Sequence, residues 1–452
     1  MKLCSVPNAR PSRRRAVTGT MALTLSAALT LSACGAGGTD DAATDEGDDS
    51  ASATGAITVL VEGGGLAELQ PVADAWKAET GNEVTFVELP YDGLYDRLST
   101  ELASGNVSFD VAALDAIWLT AFADGVQPLD EMFTDEVTAD LFPALLDEAN
   151  VGDHYIGMPV WTNAQVLFYR TDLLEDPAEQ TAFEAEYGYP LAAPTTWQEY
   201  RDVAKFFTRD SNGDGATDLY GTDVKGAVET EWLAAVLQAG AEGMVLDADG
   251  NVIINDAEHL AALAFYVAPL LEDGSAPEGA AQIGWAEAQN LFYQGQTAMM
   301  RFWAHAYTQT PEDSVVFGKV GVAPMPAGPG GIAGVPGAWY LSVPTATDNT
   351  ELAKEFIQFA FENNALGLDT SLGLAATKSA LESLVGVEGH ENLAPLIETL
   401  EADGTQPRPA TAEWQQIVDT VLIPMLQKAV AGGADNQQLL DEAKVQVEEI
   451  LG

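Results

Sequence analysis

Cysteine is nearly absent from this chain: its 452 residues include only Cys4 and Cys34, both ahead of the first predicted strand. A disulfide framework or a CxxC zinc or redox site is therefore excluded from the body of the protein. Histidine is scarce as well, and no HExxH, GxSxG or SxxK motif occurs. These absences argue against common hydrolases. A glycosidase that uses two carboxylates stays open, because 69 acidic residues allow many pairings.

Basic residues are also few, 19 against 69 acidic ones, for a formal charge of -50. Five of the 19 lie before position 33, in a stretch without acids, so 14 basic residues remain downstream and the charge there is -55. Such a surface repels nucleic acid and anionic membranes, whose binding depends on Lys and Arg. We therefore expect no nucleic-acid partner.

The amino-terminal segment combines a basic run, "RPSRRR", with a short apolar run, "MALTLSAALTLSA", directly before Cys34. The apolar run is well below the ~20 residues of a membrane span and is typical of a signal peptide. The sequence Leu31-Ser32-Ala33-Cys34 resembles the lipobox of bacterial lipoproteins. The resemblance implies a signal peptide over residues 1–33 and a diacylglycerol on Cys34. The alternative is an ordinary secretory signal with an incidental cysteine.

Residues 34–54 are small and acidic and cannot form a core, so they are predicted to be a disordered tether. From Ile57 onward, apolar runs alternate with segments of helical periodicity: "ITVLVE", a helix ending near Gly81, "NEVTFVEL", a second helix, and "FDVAALD". This β-α-β-α-β order predicts an α/β fold with a parallel, doubly wound sheet. Ligands of such sheets bind beyond the carboxyl ends of the strands, which points to Glu62, Gly64 and Asp115.

A second α/β region follows, with a predicted strand at "VLFY" and a helix that begins with a capping box of Thr196 and Glu199. Further helices are predicted near 230–240, 258–271 and 284–293, then at 351–363, and two amphipathic segments near 412–431 and 436–451 close the chain. No GxGxxG or Walker A motif is present, so no nucleotide cofactor is expected.

One motif resembles a calcium loop. In "DSNGDGATD", Asp210, Asn212 and Asp214 occupy the first three ligand positions and Gly215 the turn, but Gly221 stands where a bidentate Glu belongs. The alternative is a turn in which these side chains accept hydrogen bonds from their own backbone.

The ordered segments then resemble a known family. "YDGLYDRLSTELASGNVSFDVAALDAIWLTAFADGVQPLDEM", "IGMPVWTNAQVLFYRTDLL", "AQNLFYQGQTAMMRFW" and "VGVAPMPAGPGG" are similar to successive blocks of the family 1 extracellular solute-binding proteins of ABC importers. The resemblance covers residues 55–452. It implies a type II periplasmic-binding-protein-like fold of two doubly wound α/β lobes joined by a hinge. Lobe 1 would comprise 55–159 and 316–365, and lobe 2 would comprise 160–315 and 366–452.

The resemblance also implies a function: a monomeric receptor, held by its lipid on the extracellular face of the membrane, that delivers a carbohydrate to the permease subunits of an importer. The family's sugar sites use aromatic faces against the rings and polar groups around them. The resemblance places Asp115, Trp118, Trp161, Asn163, Trp303, Trp339 and Trp414 at the ligand site, and the strand-end rule adds Glu62 and Gly64. Asn163 departs from the family, because maltose-binding members have a carboxylate there.

Other tryptophans and one arginine have different expected roles. Trp76, Trp197 and Trp232 lie at helical positions among apolar neighbours and are predicted to be core residues, whereas Arg301 either contacts ligand or pairs with an acid. Two alternatives to a sugar receptor stay open. The same fold could bind a polyamine or another non-sugar solute, and a secreted glycoside-acting enzyme would need a pair of catalytic carboxylates.

Overall fold

The computed structural model describes residues 55–452, so the predicted signal peptide, Cys34 and the tether lie outside the described residues. The strands, in chain order, are β1 Ala56–Glu62, β2 Glu83–Leu89, β3 Val111–Asp115, β4 Asn150–Val151, β5 His154–Tyr155, β6 Met158–Trp161, β7 Gln165–Arg170, β8 Met299–Trp303, β9 Val320–Ala323 and β10 Trp339–Ser342.

The helices of the first half are α1 Gly63–Thr80, α2 Tyr91–Ser104, α3 Leu119–Phe122, α4 Asp135–Asp140, α5 Pro143–Ala149, α6 Thr171–Leu174, α7 Pro177–Tyr187 and α8 Trp197–Phe207. Those of the second half are α9 Thr230–Gln238, α10 Ala257–Leu271, α11 Trp285–Tyr293, α12 Thr350–Glu362, α13 Lys378–Ser383, α14 Leu393–Glu401, α15 Trp414–Ile417, α16 Ile423–Ala431 and α17 Asn436–Leu451. The predicted helices are confirmed to within a few residues. No helix of the described part of the chain has the length and apolar character of a membrane span.

A five-stranded sheet has the order β2-β1-β3-β10-β6. Strand β1 pairs in parallel with both β2 and β3, as the β-α-β-α-β pattern predicts. The sheet is mixed rather than wholly parallel, because β10 comes from a distant part of the chain and runs antiparallel to β3 and β6. The parallel part is what brings the ends of β1 and β3 to one edge.

A second sheet has the order β8-β7-β9 and is antiparallel throughout. Strand β9 pairs with β7 from Leu167–Ala323 to Arg170–Val320, although residues from 316 onward were predicted to join the first lobe. Residues after 366 are divided between the two regions, because α14 packs on β7 of the second sheet whereas Thr370 donates to Glu68 of α1. Short apolar runs are compatible with either sheet, so the sequence could not decide between them.

The described residues form two hydrophobic cores, and the second sheet contributes to both, because Val166 and Phe168 of β7 belong to the first core and Leu167 to the second. In the first, α1 buries Leu69, Val72 and Trp76 against the sheet. In the second, Trp232 of α9 is fully buried and Trp197 stacks on Phe265 with ring centroids 4.0 Å apart. The prediction of core positions is confirmed for Trp76 and Trp232, whereas Trp197 is only partly buried against the second core.

Two crossings connect the sheets side by side. Residues 162–164 lead from β6 to β7, and residues 324–338 lead from β9 back to β10. The backbone N–H of Gly337 donates to the carbonyl of Asn163 at 2.8 Å, and Ala164 forms an isolated β-bridge with Pro336. The two crossings therefore lie side by side and form a two-stranded connection between the sheets, called the strap below.

The calcium-like motif forms a turn. Asp210 accepts hydrogen bonds from the backbone N–H of Gly213 at 2.6 Å and of Gly215 at 2.7 Å, and Asn212 accepts from that of Asp214 at 2.9 Å. These are the bonds that the turn alternative describes. Within residues 55–452, no group of three or more His, Cys, Asp or Glu side chains has the arrangement of a metal site.

Candidate functional site

A cavity of about 620 Å³ opens at the carboxyl ends of β1 and β3 and extends to the second sheet. Its lining comes from segments far apart in the sequence: the strand ends, the start of α9, the start of α11, the end of β8, and the residues around 408–423. Seven of the nine predicted ligand-binding residues line it: Glu62, Gly64, Asp115, Trp161, Asn163, Trp303 and Trp339. The strand-end rule therefore pointed to the edge of the sheet at which this cavity opens.

Glu62 caps the helix that follows β1. Its Oε2 accepts hydrogen bonds from the backbone N–H groups of Gly64 at 3.0 Å and Gly65 at 3.3 Å. A carboxylate at this end of a helix satisfies free N–H groups and complements the helix dipole. A side chain at Gly65 is excluded, because its Cβ would lie 2.7 Å from Trp161 Cη2. The strand end, the cap and the indole are thus packed as one unit.

Asp115 is the last residue of the neighbouring strand, β3, and forms several polar contacts. One carboxylate oxygen accepts from the hydroxyl of Tyr91 at 3.0 Å, and the other accepts from the backbone N–H of Ile117 at 3.3 Å and from Nη2 of Arg408 at 3.4 Å. Arg408 also donates to the carbonyl of Pro336 at 3.2 Å. Burial opposes the charge of Arg408, but Asp115 and other carboxylates outweigh it and raise the pKa of its guanidinium.

Four tryptophans form two pairs on the cavity wall. Trp161 and Trp339 stack with ring centroids 5.8 Å apart, and Trp285 and Trp303 lie 5.7 Å apart at 48°. Trp303 lies against Gly337, whose Cβ would be 2.5 Å from its ring. The cavity wall therefore has two pairs of indoles, called the indole plates below, together with charged and amide groups. This composition suits a ligand with flat apolar faces and a polar perimeter.

Asn163 lines the cavity while its side chain is occupied by the protein. Its Oδ1 accepts from the N–H groups of Ala164 at 3.1 Å and Ala304 at 3.0 Å, and its Nδ2 lies 2.7 Å from Nδ1 of His305. Burial lowers the pKa of His305 to about 4, so the imidazole is neutral at pH 7. Since Nδ1 accepts from the amide, Nε2 carries the proton and is a potential donor to a ligand.

The start of α9 contributes Glu229 and Thr230. Both are at least nine-tenths buried, at 8% and 3% exposure, and both line the cavity. Burial raises the pKa of Glu229, against the backbone N–H of Glu229 itself and the charge of Arg408, and the charges of Asp115 and Asp419 add to the rise. Asp419 lies in a π-helical turn, Val418–Leu422, that joins α15 to α16.

Trp118 and Trp414 were predicted to contact ligand, but neither is among the lining residues. Both are completely buried. Trp118 lies behind the wall: its ring is 5.6 Å from that of Trp339, and its Nε1 donates to Gln415 at 3.3 Å. Trp414 packs in the second core. Sequence spacing identified the correct segments but could not tell which side of each segment faces the cavity.

Arg301, left open between ligand and acid, lies in the second core. It is 2% exposed, its Nε is 3.9 Å from Glu231, and its guanidinium lies over the rings of Tyr200 and Tyr266. The lining residues that the sequence did not single out include Tyr91, Trp285, Glu229, Thr230, His305, Arg408, Gln415 and Asp419. Arg408 carried a usable signal, because it is a rare cation between two prolines, Pro407 and Pro409, in an acidic chain.

Comparison with known proteins agrees with this architecture. The bacterial extracellular solute-binding protein family matches residues 62–365. A probable ABC transporter-binding protein of Deinococcus radiodurans is 31% identical over 310 residues, which are 66% of this chain and 69% of the relative. The maltooligosaccharide ABC transporter solute-binding lipoprotein of Streptococcus pneumoniae is 26% identical over 454 residues, 96% of both chains.

Solved structures share the fold. Maltose-bound MalE3 of T. maritima matches with a TM-score of 0.72 at 25% identity, covering 88% of this chain and all 100% of that one. These proteins are transport receptors rather than enzymes. The predicted family and the type II periplasmic-binding-protein fold are confirmed. The chain belongs to the bacterial extracellular solute-binding protein family, and it is a solute-binding protein of an ABC transporter.

Proposed function

We propose that this protein binds a carbohydrate, preferentially an oligosaccharide, and delivers it to the permease subunits of an ABC importer. The observation that carries the proposal is the pair of indole plates, Trp161 with Trp339 and Trp285 with Trp303, on one cavity with hydrogen-bonding side chains. Sugar rings offer CH-rich faces to indoles and hydroxyl groups to Asp, Glu, His and Arg. The names of two relatives support the class, since one binds maltose and the other is a maltooligosaccharide receptor.

The two sheets and their cores are proposed to be two lobes that close on the ligand about the strap of residues 162–164 and 324–338. Strand ends of the first sheet and α9 of the second region both line the cavity, so closure would change the contacts of a ligand on both sides. A ligand that binds the closed form more tightly shifts the population toward it. The importer would then recognise the closed, liganded receptor.

Attachment to the membrane through Cys34 is part of the proposal. The lipobox-like Leu31-Ser32-Ala33-Cys34 and the acidic residues 35–54 support it, as does the description of the Streptococcus relative as a lipoprotein. The protein would then act as a monomer on the extracellular face of the membrane. Radiolabelled fatty acid should be incorporated by the protein and not by a Cys34→Ala variant. Equal labelling of both would contradict the anchor.

A polyamine is the second candidate ligand, because Glu62, Asp115, Glu229 and Asp419 all line the cavity. A thermal-shift screen of the purified protein with oligosaccharides, monosaccharides, amino acids and spermidine separates the two. A ligand that binds only the native state raises the melting temperature by mass action. At a ligand concentration one hundred times Kd, the free energy of unfolding rises by about 2.7 kcal/mol. We expect a sugar to give the rise. Stabilisation by spermidine with no response to any sugar would contradict the carbohydrate proposal.

A further inference from the structure

The described residues that line the cavity include four carboxylates and one cation. Glu62, Asp115, Glu229 and Asp419 face Arg408, and no lysine is among them. His305 adds no charge, because burial lowers its pKa to about 4. Asp115 is the carboxylate that pairs with Arg408. The cavity therefore has an excess of negative charge that the protein's own side chains do not balance.

Glu229 is the carboxylate with the fewest protein contacts. Glu62 accepts two backbone N–H groups, Asp115 accepts three donors, and Asp419 accepts from Gln415 at 3.1 Å. Within residues 55–452, no side-chain donor forms a hydrogen bond or ion pair with Glu229, which is nonetheless only 8% exposed. The hydroxyl of its neighbour Thr230, 3% exposed, also has no partner in that part of the chain. Apart from the backbone N–H of Glu229 itself, no donor among residues 55–452 reaches this carboxylate, so it is available to a donor that arrives with the ligand.

The aromatic wall is compatible with a cation as well as with a sugar ring. The faces of Trp161, Trp285, Trp303 and Trp339 carry negative electrostatic potential and attract an ammonium within about 6 Å of the ring centre. Trp285 already takes part in such a contact, since Nζ of the buried Lys225 lies 6.0 Å from its ring centroid. A neutral hydroxyl would satisfy one lone pair of Glu229 and leave its charge, whereas an ammonium donates up to three hydrogen bonds and cancels it.

We propose that the solute is a carbohydrate that carries a protonated amine, an amino sugar or an amine-containing oligosaccharide, and that Glu229 binds its ammonium group. This inference rests on the proposed carbohydrate function and narrows it. The indole plates take the ring faces, Asp115 and Arg408 take hydroxyl groups, and Glu229 with Thr230 takes the amine. Selectivity for the amine then comes from the charge left unpaired at the start of α9.

Calorimetric titration with matched disaccharides tests the inference. Chitobiose, N,N′-diacetylchitobiose and cellobiose share one β-linked frame and differ at the second carbon, which carries an amine, an acetamide or a hydroxyl. Maltose and spermidine complete the panel, which is titrated at neutral pH because a more acidic buffer would protonate Glu229, whose pKa is raised by burial. We expect chitobiose to bind at least about tenfold more tightly than either neutral analogue, the effect of one charge-assisted hydrogen bond.

Glu229→Gln keeps the shape of the side chain and removes its charge. It should weaken chitobiose binding by about tenfold and change the Kd of the neutral sugars by less than about threefold. Glu278→Gln makes the same chemical change on the exposed surface, away from the cavity, and should leave every Kd unchanged.

The outcomes separate this inference from the function on which it rests. Neutral sugars that bind as tightly as chitobiose, or an equal effect of Glu229→Gln on all sugars, would overturn the amine and leave the carbohydrate receptor intact. Binding of spermidine alone would overturn the carbohydrate receptor. A panel in which no compound binds would contradict both proposals.

Discussion

Two groups of charged side chains in this protein differ in burial and in the balance of their charges. The closed cluster (Asp223, Lys225, Glu231 and Arg301) lies in the second core, at 0–2% exposure, with two acids and two bases. Nζ of Lys225 contacts Asp223 at 2.5 Å and Glu231 at 2.7 Å. The cavity carboxylates (Glu62, Asp115, Glu229 and Asp419) have only Arg408 against them. A buried cluster with balanced charges has a structural role, whereas unpaired charges that line a cavity are available to bind a ligand.

The pKa values support this distinction. Burial alone would lower the pKa of Lys225, but Asp223 and Glu231 outweigh it and raise that pKa above its usual value. Burial also raises the pKa of Glu229, and the charges of Asp115 and Asp419 add to the effect, while the backbone N–H of Glu229 itself and the charge of Arg408 oppose it. The charged form of Lys225 is therefore stabilised by its neighbours, whereas the charged form of Glu229 is destabilised by its surroundings.

The largest expected effect comes from opening the closed cluster. Lys225→Met removes one cation and leaves Asp223 and Glu231 buried with reduced compensation, which should cost about 3–5 kcal/mol of folding free energy. Urea unfolding followed by circular dichroism measures the loss, with Lys428→Met on the exposed face of α16 as the matched control. A loss no greater than that of the control would mean that the cluster does not hold the second core.

A pair of tryptophan variants sharpens the contrast between scaffold and site. Trp414→Ala should cost about 3–5 kcal/mol of stability, because the indole is completely buried in the second core, and should leave the affinity of the folded fraction unchanged. Trp303→Ala removes a partly exposed plate of the cavity and should raise the Kd of a stabilising sugar about tenfold with a smaller loss of stability.

Calorimetry and urea unfolding on both variants check this pair. Normal sugar affinity in Trp303→Ala would assign that indole to packing alone. Weakened affinity in Trp414→Ala, under conditions where the protein is fully folded, would show that the packing of the second core affects the affinity of the cavity for its ligand.

The smallest expected effect is a gain. Because the folded-state pKa of Glu229 is raised, the carboxyl favours folding when protonated, and this contribution is lost as the pH rises from the unfolded value of about 4.3 through the folded-state pKa. At neutral pH, Glu229→Gln should therefore stabilise the ligand-free protein, and the gain should shrink toward acidic pH. Melting temperatures of the variant and of Glu278→Gln across that pH range measure it. A destabilised Glu229→Gln would mean that Arg408 or another donor compensates the charge.

Much of the fold followed from the sequence, because periodicity and caps are local. The apolar spacing of α1 predicted its buried face, and Gly81 ends that helix with a φ of 78°. Thr196 caps α8 as predicted, but Glu199 accepts from Thr195 instead of closing the box on Thr196. The edge of the first sheet was predictable for the same reason, since parallel strands bring Glu62 and Asp115 together wherever the rest of the chain goes.

The remaining parts of the site depend on tertiary packing. Arg408 meets Asp115 across 293 positions of sequence, and no local pattern encodes that distance. Trp118 and Trp303 belong to the same residue type in similar surroundings, yet one is enclosed and the other lines the cavity. The antiparallel return of β10 and the pairing of β9 with β7 were also beyond the pattern, because strands this short carry too few side chains to specify a partner.

The indoles of Trp161 and Trp303 lie against Gly65 and Gly337, where a methyl group would be 2.7 Å and 2.5 Å from the rings. The two glycines thus act as spacers of minimum thickness. Replacing a hydrogen of either glycine by a methyl group would displace the indole beside it and so change the width of the cavity. A substitution at either glycine would therefore change the thickness of the ligand that fits, while the hydrogen-bonding groups of the cavity stay the same.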